Sequence, residues 1–307
     1  MTPAASVAVL LCTYNGEAHL EEQLSSIQAQ EDCSVSLVAS DDGSTDGTVS
    51  LLNRFARRGT IPTRVKQGPG DGHTANFMSL VSDAEVQASY FAYADQDDSW
   101  DAGKLARAIA CLSRLPPDEP ALYCSRTRSI SEAGKPLGLS PLFCREPGFR
   151  NALVQNIGGG NTMVFNRAAR QLLVTAGTVD VVSHDWWTYL LVSGAGGRVN
   201  YDPEPSLSYR QHGGNEIGAN LSWSDRALRY FKALGGRNRA WMDRNLAALR
   251  QCSHLLTPEN REVLDHFSQA RNGGLLKRFQ GVRDGGLYAQ TLSGNIGLYV
   301  ATLLKKI

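Results

Sequence analysis

The stretch Val7-Ala8-Val9-Leu10-Leu11-Cys12-Thr13-Tyr14-Asn15-Gly16 decides the fold. Six successive apolar residues without polar alternation match a strand buried on both faces, the condition of a central strand in a parallel sheet. A polar turn closes the run, and Leu20, Leu24 and Ile27 then recur at helical spacing. The unit repeats outward. Val35–Ala39 reads as a second strand, followed by Ser40-Asp41-Asp42-Gly43-Ser44 and a helix marked by Val49, Leu52 and Phe55. Thr63–Lys66 is a short third strand, residues 67–73 are glycine-rich, and Phe77, Leu80 and Val81 mark the next helix. Tyr90–Ala94 is a fourth strand that ends in Asp95-Gln96-Asp97-Asp98-Ser99-Trp100, with a helix from about Ala102 to Leu112 after it. This alternation predicts an α/β fold with a doubly wound, mostly parallel sheet.

Beyond Pro116-Pro117 the pattern changes. Ala121–Ser125, Thr162–Phe165, Val199–Tyr201 and Leu207–Arg210 are strand-like, residues 126–150 show no clear period, and residues 184–193 read as a buried aromatic helix. From Trp223 onward the chain is mostly helical and basic. Residues 1–220 hold 17 Lys or Arg against 24 Asp or Glu, whereas residues 221–307 hold 14 against 6. That charge split predicts an acidic body over 1–220 and a basic helical C-terminal extension over 221–307 that meets an anionic surface or packs on the core. The 307 residues are 42% apolar and 20% charged, which excludes a disordered, collagenous or coiled-coil chain. Six dispersed cysteines form no C-x-x-C pair, so neither a zinc site nor a disulfide framework is signalled. No leader-like segment precedes the first strand, and no stretch reaches the roughly 20 apolar residues of a membrane span. The expectation is a cytoplasmic protein, with peripheral contact to an anionic membrane through the basic tail.

In a doubly wound sheet, ligands gather beyond the carboxyl ends of the strands. Three polar clusters fall there: Thr13-Tyr14-Asn15, Asp41-Asp42 and Asp95-Gln96-Asp97-Asp98. Asp41-Asp42-Gly43-Ser44 reads equally as a turn with a helix cap. The acidic run Asp95-x-Asp97, with Asp98 and Asp101 close behind, concentrates like charge. Either it is a solvated loop, or it serves a hard divalent cation that takes one or two carboxylates plus substrate phosphate oxygens. A cation and a diphosphate explain the cluster together, since the acidic loop alone would repel the phosphates. The first turn has no G-x-G-x-x-G, and no G-x-x-x-x-G-K-[ST] occurs, so neither a Rossmann dinucleotide site nor a P-loop is present. The Gly68-Pro69-Gly70-Asp71-Gly72 segment reads as a turn that skirts the ligand site.

Val7–Gly16, Ser40–Gly47, Ala94–Trp100, Gly160–Asn166, His184–Trp187 and Tyr209–Gly213 together resemble a family 2 glycosyltransferase, most closely the bacterial rhamnosyltransferase-like branch. The likeness covers residues 7–215. It implies the GT-A fold, inversion at the anomeric carbon and a Mg²⁺ or Mn²⁺ cofactor. It further implies that Thr13, Tyr14 and Asp42 hold the nucleoside, and that Asp95 contacts ribose or the metal shell. Asp97 would ligate the metal, Asp185 would be the catalytic base, and His212 would approach the metal or diphosphate. Asn15 and Gln96 join the donor-side set through their clusters. Gly160, Asn161, His184 and Trp186 are assigned to the acceptor side. For Asp185, a first-turn helix acid is the structural alternative, and for Trp186 and Trp187 the alternative is the core. His73 and His254 read as structural.

The expected donor is a dTDP- or UDP-sugar carrying rhamnose or a hexose. The expected acceptor is a glycan or a lipid-diphosphate-linked glycan in surface polysaccharide synthesis. No Q-x-x-R-W motif is present, so one sugar per encounter is expected. No nucleic-acid-binding motif accompanies the basic tail. Two other readings of the same topology are a catalytically silent nucleotide-sugar-binding protein and a sugar-phosphate nucleotidyltransferase. The second should carry a basic, glycine-rich loop where Thr13-Tyr14-Asn15-Gly16 stands.

Overall fold

Alternation along β1 (Ser6–Thr13) sorts its side chains onto two faces. Ala8, Leu10 and Cys12 enter one apolar cluster, and Val7, Val9 and Leu11 enter another. Such a strand needs cover on both sides, and both sides are covered. The structure, a computed structural model, describes residues 5–211 and 237–307. On one side of the sheet lie α1 (Leu20–Gln28), α2 (Thr48–Arg58) and α4 (Lys104–Leu112). On the other lie α3 (His73–Val81), α6 (Arg167–Ala176) and α7 (His184–Gly194).

The main sheet has seven strands in the order β10-β6-β9-β4-β1-β2-β3. The strands β2 (Ser34–Asp41), β3 (Thr63–Gln67) and β4 (Tyr90–Ala94) run parallel with β1, and β6 (Ala121–Ser125) runs parallel with β10 (Arg198–Asp202). Only β9 (Val164–Asn166) runs against its two neighbours. This is the expected α/β, mostly parallel architecture. The chain reverses at Asn166, whose side-chain oxygen caps α6 at Ala169 N (2.9 Å) and also takes Ala121 N (3.0 Å).

Residues 126–150, without period in the sequence, contain β7 (Arg128–Ser131), β8 (Pro136–Leu139) and the short α5 (Phe149–Ala152). β7 and β8 join β5 (Ser99–Trp100) and β11 (Leu207–Gln211) in a second sheet, ordered β5-β11-β7-β8. All four residues of β8 are exposed, so the strand carries no buried face to imprint a pattern.

The C-terminal helices are α8 (Arg237–Gln251), α9 (Pro258–Asn272), α10 (Leu275–Asp284) and α11 (Leu292–Leu303). Met242, Leu246, Leu249, Phe267, Val282 and Leu298 enter the same apolar cluster as Phe149, Trp187 and Leu190. The helical part therefore shares a core with the sheet half. Of the tail cations, Arg226, Arg229 and Lys232 lie outside the described residues, while Arg244 pairs with Asp180 and Arg239 donates to Lys305 O (2.8 Å). Among the described residues, no helix is long and apolar enough to cross a membrane.

Candidate active site

Parallel pairing brings the strand ends to one edge. Thr13 pairs with Asp41, Asp41 with Gln67, and Leu11 with Ala94, so the loops after β1, β2, β3 and β4 emerge side by side. Those loops are stitched together by side chains. Thr13 is buried, and its hydroxyl donates to Asp41 Oδ1 (2.8 Å). Asp41 also accepts from Gly43 N (3.2 Å), Ser44 N (2.8 Å) and Ser44 Oγ (2.6 Å). Asp41 is thus the turn-former of its pair. The neighbouring Asp42 reaches the glycine-rich loop after β3, accepting from Gly70 N (2.7 Å) and Gly72 N (3.0 Å).

Asn15 takes the left-handed conformation (φ 48°), which Asn tolerates better than most residues. Its side-chain oxygen accepts from Thr45 N (2.8 Å), and its backbone N–H donates to Ser44 Oγ (2.8 Å). Gln96 brackets the backbone of Tyr14, accepting from its N–H (2.8 Å) and donating to its carbonyl (3.0 Å). A Cβ at Gly16 would fall 2.2 Å from Gln96 Oε1, so a larger residue there would push the Gln96 amide off the Tyr14 backbone. The Tyr14 ring itself is 59% exposed at this edge.

The acidic turn divides its labour. Asp95, Gln96 and Asp97 are half-buried, whereas Asp98 is fully buried. Asp98 accepts from Asn161 Nδ2 (2.5 Å), and burial, followed by the charge of Asp97, raises its pKa to about 7. Lys104 is also fully buried, with its ammonium 3.7 Å from the centre of the Trp100 ring. Burial lowers its pKa to about 7 against the opposing pull of Asp98 and Asp95. Arg210 is the brace of the turn. It is 3% exposed and donates to Asp97 O (3.2 Å), Glu132 O (2.9 Å) and Glu22 Oε2 (2.6 Å). An unpaired buried guanidinium would be costly, so these three partners hold the turn, the second sheet and α1 in one arrangement.

Asp185 lies in the first turn of α7. Ser183 Oγ and Trp186 N (2.6 Å) both donate to its Oδ1. Burial pushes the Tyr93 phenol up, with the charges of Asp185 and Cys12 adding to the effect. The Cys12 thiol is likewise raised by burial, then by Asp95 and Asp42.

The acceptor-side residues divide. Asn161 is 3% exposed and its amide is committed to Asp98. His184 stacks on Phe77 (3.8 Å between centroids) and meets Tyr93 edge-on (4.7 Å), with His73 at 5.8 Å. Gly160 touches it: a Cβ there would lie 2.3 Å from His184 Nε2. Burial pushes the His184 pKa down to about 3, so the ring is neutral. Trp186 turns into the core and donates its indole N–H to Ala152 O (2.7 Å), and Trp187 is fully buried. The core is thus the place of both rings. His212 lies outside the described residues. Sequence reasoning passed over Lys104 and Glu22. For Lys104 a signal existed, because it stands on the same helical stripe as Leu105, Ala108 and Leu112.

An open parallel sheet with these loops at its carboxyl edge and a D-x-D turn after the fourth strand is the GT-A fold of nucleotide-sugar transferases. More particularly, the chain belongs to Glycosyl transferase family 2, whose profile matches residues 8–173. It is 29% identical over 246 residues to the dTDP-rhamnosyl transferase RfbG of Shigella flexneri, covering 75% of this chain and 80% of that protein. The uncharacterized protein Mb1547 of Mycobacterium bovis is 28% identical over 211 residues, 67% of this chain and 59% of its own length. Among solved structures, S. aureus TarS in complex with UDP-GlcNAc superimposes with a TM-score of 0.56 at 15% identity, over 91% of this chain and 89% of that one. The mannosyltransferase PcManGT from Pyrobaculum calidifontis, in complex with GDP-Man and Mn²⁺, gives 0.51 at 19% identity, over 100% and 89%. At such identities the likeness establishes the fold. Family membership makes the protein a glycosyltransferase.

Proposed function

We propose that the protein is an inverting, metal-dependent transferase that moves rhamnose or a hexose from a dTDP- or UDP-sugar to a glycan or lipid-linked glycan acceptor in surface polysaccharide synthesis. The observation that carries this reading is that the loops after β1, β2, β3 and β4, which bear Thr13, Asp42 and the Asp95–Asp97 turn, emerge side by side at one carboxyl edge of the sheet, with Asp42 bonded across to the loop after β3. The likeness to a dTDP-rhamnosyl transferase, over 75% of this chain and 80% of that protein, supports a pyrimidine donor carrying rhamnose.

The donor set suits a cation shared with substrate. Among the described residues, no three His, Cys, Asp or Glu side chains converge to hold an ion by themselves. Asp98 turns inward to Asn161, whereas Asp95 and Asp97 stand half-buried at the edge, and one or two carboxylates plus diphosphate oxygens is the coordination Mg²⁺ prefers. Asp97, aided by Asp95, would hold Mg²⁺ or Mn²⁺, which supplies Lewis acidity to the leaving diphosphate.

The chain's own residues perform the remaining tasks. Tyr14 offers an exposed ring to the base, and Asp42, already holding the 68–72 loop, offers its remaining lone pairs to the pyrimidine N–H. Asp185 keeps Oδ1 engaged by Ser183 and Trp186 N and presents Oδ2 to the acceptor hydroxyl. That proton passes to Asp185 as the acceptor oxygen bonds to the anomeric carbon. The bond from that carbon to the phosphate oxygen breaks, and the nucleoside diphosphate leaves with the electron pair.

The test is calorimetric titration with UDP, dTDP and GDP, each with Mn²⁺ and with EDTA, on the wild type and Asp97→Ala. Metal-dependent binding of a pyrimidine diphosphate, abolished in the variant, is expected. Binding indifferent to metal and to Asp97 overturns the donor-site assignment.

A further inference from the structure

The C-terminal helix α11 carries its apolar residues on the wrong side for a core. Leu292 (80% exposed), Ile296 (58%), Tyr299 (46%) and Leu303 (51%) follow one another at intervals of four, three and four residues. At 100° per residue they fall within an arc of about 60°. Leu298 and Thr302, on another side of the helix, are buried. The ridge continues onto α10, where Leu276 is 79% exposed and Phe279 stacks on Tyr299 with centroids 6.2 Å apart.

This ridge is held in place rather than frayed. Arg278 Nη1 donates to Thr302 O (2.8 Å) and Leu303 O (3.1 Å), tying α10 to the end of α11. The linker between the helices is fastened to the catalytic half: Asn151 donates to Tyr288 O (2.9 Å), and Gln290 N donates to Gln155 Oε1 (3.0 Å).

The charge around the ridge selects what covers it. Residues 275–307 hold five Lys or Arg and one acid, Asp284, which is paired with Arg283. Lys277 adjoins Leu276, and Lys305 adjoins Leu304; both lysines are exposed. A second copy seated on this face would set like charges against each other. Anionic lipid headgroups complement the lysines while the acyl region takes the leucine ridge. At 12 residues, α11 is about 18 Å long and cannot cross a hydrocarbon core of about 30 Å, so it would lie in the plane of the interface.

We propose that α10 and α11 form a membrane-docking face that rests on anionic lipid through the Leu292–Leu303 ridge and its flanking lysines. This goes beyond the proposed reaction and does not depend on the identity of the donor.

The test is co-sedimentation of the full chain with vesicles of phosphatidylcholine alone or mixed with phosphatidylglycerol, with pyrimidine diphosphate affinity measured on the same preparations. The wild type is expected to bind the mixed vesicles selectively, and less as salt is raised. Ile296→Ser combined with Leu303→Ser should lower the partition coefficient roughly tenfold or more. Lys277→Glu combined with Lys305→Glu should do the same selectively on anionic vesicles, again by roughly tenfold. Both variants should keep wild-type nucleotide affinity, which separates loss of docking from loss of fold or of the donor site. Absence of vesicle binding, equal binding to both compositions, or binding insensitive to either pair of substitutions overturns the proposal. A dimer by light scattering that the Ile296/Leu303 variant dissociates would also overturn it, assigning the face to a second copy.

Discussion

The carboxyl edge of the sheet and the α10–α11 pair treat their side chains in opposite ways. At the edge, polar groups are drawn inward and bonded to one another: Thr13 to Asp41, Asn161 to Asp98, and Arg210 to Asp97 O, Glu132 O and Glu22. At the helix pair, large apolar side chains face outward while the polar contacts, such as Arg278 to the end of α11, merely hold the helices together. Burying charge is costly and exposing leucine forgoes hydrophobic stabilisation. Both regions thus depart from the arrangement that maximises stability. Under the two proposals above, the edge receives a charged nucleotide-sugar and the ridge rests on an anionic lipid surface.

The sharpest break in this comparison is Asp185→Asn. Removing the base should lower the transfer rate by roughly 10²–10⁴-fold while nucleotide affinity stays at the wild-type value. Single-turnover transfer rates and calorimetry on the same variant check it, and an unchanged rate removes Asp185 from the reaction.

Arg210→Met comes next. It takes the donors from two carbonyls and leaves the half-exposed Glu22 unpaired, at a cost of about 2–3 kcal/mol. Urea unfolding measures this, and metal-dependent nucleotide binding should weaken with it because the turn bearing Asp97 loses its brace. A change below about 0.5 kcal/mol would mean the turn is held by other contacts.

A smaller effect follows from His184, which burial keeps neutral with a pKa near 3 against an ordinary 6.5. Between those values the unfolded chain binds a proton that the folded chain refuses, so stability falls as pH drops through that window. His184→Phe should flatten this acid limb, reducing the difference in unfolding free energy between about pH 7 and about pH 5. The same difference in wild type and variant would place the acid sensitivity elsewhere.

At the opposite region, Ile296→Ser should change the unfolding free energy by no more than about 0.5 kcal/mol, because the side chain is 58% exposed. A larger loss in urea melts would show that the ridge serves the protein's own core.

Much of the fold was legible because buried strands leave continuous apolar runs. Tyr90–Ala94 and Ala121–Ser125 end in the structure where the sequence pattern ends. β8 was not readable, since a strand exposed at every position has no face to alternate. The convergence of the three polar clusters was legible as well, because carboxyl ends of parallel strands meet at one edge whatever residues they bear.

The roles within the site were another matter. Asp41 and Asp42 are chemically identical neighbours, yet the first folds back on Thr13 and Ser44 while the second crosses to Gly70 and Gly72. Asp97 and Asp98 divide in the same way, one half-buried at the edge and the other sealed against Asn161. Trp186 and Trp187 both turn to the core, where an alternating environment would have exposed one of them. The alternation of strand and helix, the family and the edge where the polar clusters meet could be read from the residues alone, because periodicity and turn chemistry act over a few residues. Which carboxylate of each pair is tied into the fold and which stays at the edge depended on the folded chain. That choice rests on partners far away in the chain, as when Arg210 reaches Glu22 across 188 positions to hold the turn of Asp97.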